Sequence, residues 1–280
     1  MALQSTVYHI RSPKLRPFVQ YILFNQADQV QQKQVVTSLP NANICLGILK
    51  ERVLRQKEQQ LFLQGHSGIS AYLSALYARP HHFVLEQDFD EICIDFTPAG
   101  YTHFFRSPLK TYVLEEALLS ENFGAEAVFF FEWVFGQSNL QDRGRTIEAW
   151  LLQRLSIRTN DRAEVFLRQL QQLSGICSVE QLRNQLCCSE RKLQRTFAQL
   201  LDCSPKNYLR IRRFRQLLQH LNRVEAAIHW EQVAYQFGYY DYSHLVKEFK
   251  AFTGQAPKAF WQHRLEIEAT VTVCIQPSSA

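Results

Sequence analysis

The sequence predicts an α+β fold. A β-rich N-terminal half, cupin-like or a sandwich and carrying helices at its end, precedes an all-α region of two helix-turn-helix units joined by a long helix. Three features of the 280 residues point there. Short apolar or alternating runs, broken by Pro, Gly and Asn, fill roughly the first 115 residues. From residue 121 apolar residues recur at helical spacing instead. A helical frame at 189–213 then returns 52 residues later.

In chain order, VVTSLPNANICLGILK (35–50), QLFLQG (60–65) and DEICIDFTPAG (90–100) read as strands and turns. Pro-Ala-Gly in FTPAG reads more readily as a plain turn than as a loop at a pocket rim, and Asp88, Asp90 and Glu91 as a solvated loop. ENFGAEAVFFFEWVF (121–135) and TIEAWLLQRL (146–155) carry helical spacing. They either form a dimer seam or pack on their own β-rich half. The polar stretch Arg158-Thr159-Asn160-Asp161 marks a boundary, and AEVFLRQLQQL follows it, ended by Gly175. From there to Arg264 the pattern is helical, and 270–275 makes a strand or a frayed tail. The expected domains are 1–160, 161–265 and a tail, 266–280.

Charge divides along the same line. Residues 1–160 hold 15 Lys+Arg and 15 Asp+Glu, whereas 161–264 hold 16 against 9. A localised basic excess is what a polyanion binder carries. No apolar run approaches the ~20 residues of a membrane helix. The start MALQSTVYHIRSPK lacks a signal-peptide core. A cytoplasmic protein with no membrane partner is expected. The seven cysteines show neither CxxC nor Cys/His zinc spacing and read as free thiols.

In the repeat, SERKLQRTFAQLLDCSPKNYLRIRR (189–213) aligns with DYSHLVKEFKAFTGQAPKAFWQHR (241–264). Leu193 pairs with Leu245, Phe197 with Phe249, Pro205 with Pro257, Tyr208 with Phe260 and Arg212 with Arg264. Upstream the offset is 51, Leu182-Arg183 matching Val233-Ala234, so the second copy has one extra turn residue. Each copy reads as helix, turn, helix and a proline-started helix. Ser178 and Gln181 make a capping-box pattern. Ser189 and Asp241 suit N-caps, and Ser204-Pro205 sets a cap before proline at the first helical position.

Leu193, Phe197 and Leu200 are expected inward in the first copy, and Leu245, Phe249 and Phe252 in the second. Arg191, Lys192, Gln194 and Arg195 then face outward, as do Tyr242, Ser243, His244 and Lys247. Arg and Gln bond guanine and adenine edges in the major groove, while Lys206, Lys250 and Lys258 suit phosphates. The helix NYLRIRRFRQLLQHL, with Arg210, Arg212, Arg213 and Arg215, joins the units about one DNA turn apart. Those four arginines read more readily as surface or ion-paired groups than as readers.

GYYDYSHLVKEFKAFTGQAPKAF (238–260) resembles the signature of the AraC-type (AraC/XylS) bacterial transcription regulators. SERKLQRTFAQLLDCSPKNYLRIRRFRQLLQ resembles that family's first unit and linking helix, the likeness covering about 162–264. The resemblance implies double-stranded promoter or operator DNA as partner. Base-facing residues would be Arg191, Gln194 and Arg195 in the first unit, with Tyr242, Ser243, His244 and Lys247 in the second. KLRPFVQYILF, FTPAGYTHFF and FGAEAVFFFEWVF resemble N-terminal regions of some of these regulators. They imply a half that binds an unidentified small-molecule effector or forms a homodimer. Relatives that contact RNA polymerase lean the expectation towards an activator. Arg183 departs from the family, which has a small residue there.

No cofactor, metal or enzymatic activity is expected: GxSxG, P-loop, GxGxxG and HExxH motifs are absent. His66, His81, His82 and His103 fit no ligand spacing. A rival regulatory mechanism is thiol oxidation at Cys187, Cys188 and Cys203, which flank the first reader helix. Against it stands the packing of one of the paired cysteines in the unit's core.

Overall fold

The computed structural model describes residues 3–28, 30, 34–57, 60–77, 79–105, 112–114, 117–155, 162–173, 176–224, 227–262 and 273–277. The expected boundary at Asn160–Asp161, Gly175 and Arg264 lie outside them. The N-terminal half supplies β1 (Gln4–His9), β2 (Val19–Ala27), β3 (Gln34–Ser38), β4 (Ile44–Lys57), β5 (Gln60–Ser74), β6 (His81–Leu85), β7 (Phe89–Phe96) and β8 (Tyr112–Val113). A ninth strand, β9 (Val273–Pro277), comes from the far end of the chain.

Together they form one sheet in the order β1-β2-β7-β4-β5-β6-β3-β9, with β8 beside β5. The pairs are antiparallel except β5 with β6. The sheet curls into a half-barrel, so that residues of β2 and β3, distant in strand order, line the same cavity. The C-terminal tail makes a strand and not a frayed end: β9 pairs with β3, Ser38 opposite Val273 and Gln34 opposite Pro277.

Alternation along the strands explains why they read as near-continuous apolar runs, since both faces are covered. Ile22 and Phe24 of β2, Leu46 and Ile48 of β4, and Ile92, Ile94 and Phe96 of β7 join the large core under the helices. Tyr21, Leu23 and Asn25, Cys45 and Leu49, and Glu91, Cys93 and Asp95 point the other way, into the cavity.

FTPAG is not a turn. Thr97 caps α1 (Pro98–Phe104) by accepting from the Gly100 N–H, and Pro98 stands where its missing N–H costs nothing. Nor do Asp88, Asp90 and Glu91 form a free solvated loop. The Asp88 carboxylate accepts from the Val30 N–H at 2.9 Å, and Glu91 points into the cavity. Asp90 accepts from Arg143 Nη1 at 2.9 and 3.0 Å.

Three helices follow: α2 (Leu118–Phe123), α3 (Glu126–Phe135) and α4 (Leu140–Arg154). Ala127, Phe131, Val134 and Phe135 pack α3 on the sheet, while Phe129 and Trp133 are 70% and 61% exposed. From α4, the buried Glu148 accepts from the Tyr8 hydroxyl at 2.6 Å and from the Arg11 and Ser12 N–H groups.

Helix α5 (Arg162–Gln172) packs on α1 and starts the C-terminal helical region. The first unit is α6 (Val179–Gln185) and α7 (Glu190–Leu201). The linking helix is α8 (Pro205–Leu221), and the second unit is α9 (Trp230–Gln236) and α10 (Tyr242–Thr253), followed by α11 (Pro257–Gln262). The first unit, with α5 and the start of α8, continues the large core through Leu167, Leu182, Leu193, Phe197, Leu201 and Tyr208. The second unit closes its own core around Phe214, Phe249 and Phe252, and Leu39 of the N-terminal half packs into it. Among the described residues no helix is long and apolar enough to cross a membrane.

Candidate nucleic-acid interface and the sheet cavity

The two units match at the level of the backbone. All four expected caps form: Gln181 N–H to Ser178 Oγ at 3.1 Å, Lys192 N–H to Ser189 Oγ at 3.3 Å, Asn207 N–H to Ser204 Oγ at 3.2 Å and His244 N–H to Asp241 Oδ1 at 2.7 Å. Gln181 also returns its side chain to the Ser178 N–H at 2.8 Å, completing the box. In the first turn the Cys188 N–H donates to Arg183 O, and 51 positions on Tyr239 donates to Ala234 O. The residues before those donors, Cys187 and Gly238, both have left-handed φ, 46° and 68°. After the reader helices Asp202 and Gly254 share the left-handed region at an offset of 52. The step from 51 to 52 is the one-residue insertion inside the second turn.

In the first unit Leu193 and Phe197 are buried as expected, but Leu201 takes the third buried place and Leu200 is only half-buried. The 3.6-residue period carries the stripe from Phe197 to Leu201, one turn on. Leu245, Phe249 and Phe252 are buried as the spacing predicts. Arg191, Lys192, Gln194 and Arg195 all lie exposed on α7, and Lys206 is exposed at the start of α8.

On α10, Ser243, Lys247 and Lys250 are exposed, as is Lys258 on α11. Tyr242 is half-buried beside Trp230, with the Lys258 ammonium 5.6 Å from its ring centre. His244 is half-buried too; its ring meets Tyr239 edge-on at 5.5 Å, and Nδ1 lies 3.3 Å from the Tyr240 N–H. Both side chains brace the turn as well as facing outward. Arg183 reaches Asn184 Oδ1 at 3.4 Å and is half-buried, where the matching Ala234 is wholly buried.

The arginines of α8 hold the fold together. Glu248 of α10, 8% exposed, accepts from Arg210 Nε at 2.5 Å and Arg213 Nη2 at 2.8 Å. Arg212 donates to the Leu170 and Leu173 carbonyls. Arg215 turns to the N-terminal half and lines the cavity there. The second reader helix is thereby fixed to the helix that follows the first.

The cavity has a volume of about 130 Å³. Its wall mixes leucines and phenylalanines with asparagines, tyrosines and serines, and its charged lining residues are Glu91, Asp95 and Arg215. Glu91 is 8% exposed and accepts from Asn25 Nδ2 and the Tyr72 hydroxyl, each at 2.7 Å. Asp95 is 2% exposed and accepts from Asn41 at 2.9 Å and from Asn43. Burial lifts the Asp95 pKa to about 6, against the pull of Asn43, Arg215, Tyr21 and Asn41. The register D-E-I-C-I-D holds the missed signal: Glu91, Cys93 and Asp95 share one parity and so one face.

The thiols divide by environment. Cys188 and Cys203 pack against the core, and burial beside Asp202 raises the Cys203 thiol to about 12, so it stays protonated. Cys187 is exposed in its left-handed turn. His82 Nδ1 lies 3.0 Å from Thr37 Oγ1, His81 stacks edge-on against Tyr77, and His103 Nδ1 lies 3.5 Å from Glu164. Among the described residues no three His, Cys, Asp or Glu side chains gather as a metal site.

Residues 182–263 match the family model of a helix-turn-helix domain. No curated protein matches the chain. Solved structures that resemble it include ToxT from Vibrio cholerae, 13% identical with a TM-score of 0.45 over 94% of this chain and 98% of that one. A second ToxT structure, bound to an unsaturated fatty acid, is 12% identical with a TM-score of 0.43, over 86% and 94%. The transcriptional regulator CdpR from Pseudomonas aeruginosa is 21% identical with a TM-score of 0.27, over 65% and 48%. Likenesses of this size decide nothing about ligand or activity.

Proposed function

We propose that this chain, whose residues 182–263 form a helix-turn-helix domain of the kind AraC-type regulators carry, is a sequence-specific transcription regulator and an activator. It reads two adjacent major-groove segments of promoter DNA with α7 and α10, under control of a β-rich half that senses an effector. One observation carries the reading. Two register-matched reader helices carry exposed polar and basic faces, and Glu248 locks the second of them to the helix that follows the first. The proposed division of labour runs 1–160 for sensing and dimerisation and 161–265 for DNA. A homodimer formed through the α3 face bearing Phe129 and Trp133, and contact with RNA polymerase, belong to the same reading.

Arg191, Gln194 and Arg195 read bases in this account. Ser243 and Lys247, with the half-buried Tyr242 and His244, make fewer strong base contacts. Lys192, Lys206 and Lys250 hold phosphates. Arg195→Ala should relax base preference and lose roughly 1–3 kcal/mol on the preferred site, with little change on scrambled DNA. Lys250→Ala should weaken both alike. Titrations on the two duplexes decide: equal losses on both for Arg195→Ala would sink its role as a reader. With 5–8 phosphate contacts, affinity should fall with salt at a log–log slope of about −5 to −7. A flat response would assign the basic surface another purpose.

The thiol-oxidation reading narrows to Cys187, the exposed member of its set, because Cys188 and Cys203 pack inward. Peroxide-treated and reduced protein binding DNA equally would remove it.

A further inference from the structure

Taking the β-rich half as the sensing half, the chemistry of its cavity names the class of ligand. Its volume of about 130 Å³ compares with the 150 Å³ engineered cavity that holds benzene, so the occupant has a body of about one ring. Leu23, Leu49, Leu54, Leu63, Phe83 and Phe89 ask for that body to be apolar.

The polar lining sets the rest. Two carboxylates, each more than nine-tenths buried, share the wall with one cation, Arg215. Arg215 acts on Asp95 and on the nearby Tyr21 and Tyr77. Glu91 is four residues up the same strand, on the order of 13 Å away. Its partners are all neutral: Asn25 and Tyr72 each donate to one of its oxygens and the Cys93 thiol also bonds it, which leaves acceptor capacity for a further donor. A buried carboxylate with only neutral donors gains most from a cation. An anionic occupant would be repelled by two carboxylates and attracted by a single guanidinium.

We propose that the cavity binds a compact organic amine: an apolar body of about one ring, with an ammonium group seated on Glu91 beside Tyr72 and Asn25. The ammonium supplies three donors and the positive charge that is missing among the partners of Glu91. The body extends towards Asp95 and Arg215, and so towards α8, the helix that holds the second reader through Glu248. Occupancy of the sheet is thereby felt at the DNA-binding region.

The test titrates full-length protein by calorimetry with benzylamine, benzyl alcohol and benzoate, near-isosteric probes of positive, zero and negative charge. Benzylamine should bind at least tenfold tighter than either other probe. Glu91→Gln should reduce that preference to twofold or less, while benzyl alcohol binding stays within twofold of wild type, which shows that the cavity is intact. Benzoate or benzyl alcohol binding as well as benzylamine would overturn the amine and leave a cavity that senses another class. A benzylamine preference that survives Glu91→Gln would place the amine elsewhere and overturn the site. No binding of any probe at millimolar concentration would overturn the sensing cavity as well. DNA titrations of the same preparations, without probe, judge the DNA-binding reading separately.

Discussion

Glu248→Ala is expected to cost about 3 kcal/mol of stability and to cut affinity for two-segment DNA by about 100-fold or more. One carboxylate serves two guanidinium groups, Arg210 and Arg213, whose side chains are 29% and 17% exposed. Removing it leaves two positive charges close together in partly desolvated surroundings, which is far worse than removing the whole cluster. For a chain of this size such a loss lowers the melting midpoint by roughly 6–12 °C. The DNA effect follows from geometry. With the ion-pair clamp gone, the core around Phe214 alone orients α10 on α8, and the second unit engages at a lower effective concentration than on the rigid arm. A duplex carrying one segment should lose little, and that contrast separates lost orientation from general unfolding. Equal losses on one- and two-segment duplexes, or an unchanged midpoint, would contradict the role given to Glu248.

Gly100→Ala is expected to cost about 4 kcal/mol or more. A Cβ there would stand 1.9 Å from the Phe18 carbonyl oxygen and 2.7 Å from its carbon, both backbone atoms. Phe18 cannot retreat, since its carbonyl accepts from the Thr97 N–H at 2.9 Å and the Thr97 hydroxyl holds Pro17 O at 2.8 Å. Helix α1 must move instead, and α1 joins the sheet to α5. His103 meets Glu164 there, and Arg168 of α5 lies 4.7 Å over the Phe18 ring. Gly65→Ala is the control, because a Cβ on that residue meets nothing within 4 Å. Its stability should stay within about 0.5 kcal/mol of wild type. Thermal melts of the two variants side by side check both numbers, and similar midpoints would refute the close-approach account.

The helical region was largely legible in the sequence because its signals are local. Ser178 with Gln181, Ser189, Ser204-Pro205 and Asp241 are caps whose donors lie within three residues, so their chemistry can be read without the fold. The single insertion, seen as an offset changing from 51 to 52, survives as matched left-handed residues at Cys187 and Gly238. Even so, the inward stripe ends at Leu201 rather than Leu200. Two neighbouring leucines offer the same apolarity, and only the packing of α7 on α6 and α8 selects between them.

The sheet half was legible in class but not in chemistry. Strand pairing joins residues far apart, as β3 does with β9, and no local pattern records it. FTPAG reads as a turn when Pro and Gly are taken as breakers, yet Thr97 turns the same letters into a helix start. Asp90 and Glu91 look like surface charge until Arg143 and Tyr72 approach from 53 and 19 residues away. Arg215 sits among arginines that read as surface or ion-paired groups, and only the fold shows it facing the cavity.

Selection of binding sites from a random DNA pool by the full-length protein, at about physiological salt, decides whether the two units read DNA in tandem. An enriched motif of two short blocks is expected, with centres about 10 base pairs apart, one helical turn, on one face of the duplex. Arg195→Ala should degrade one block, and Glu248→Ala should loosen the spacing between them. A single enriched block whose selection is indifferent to Glu248→Ala, or tight salt-sensitive binding with no enriched sequence, would contradict tandem reading.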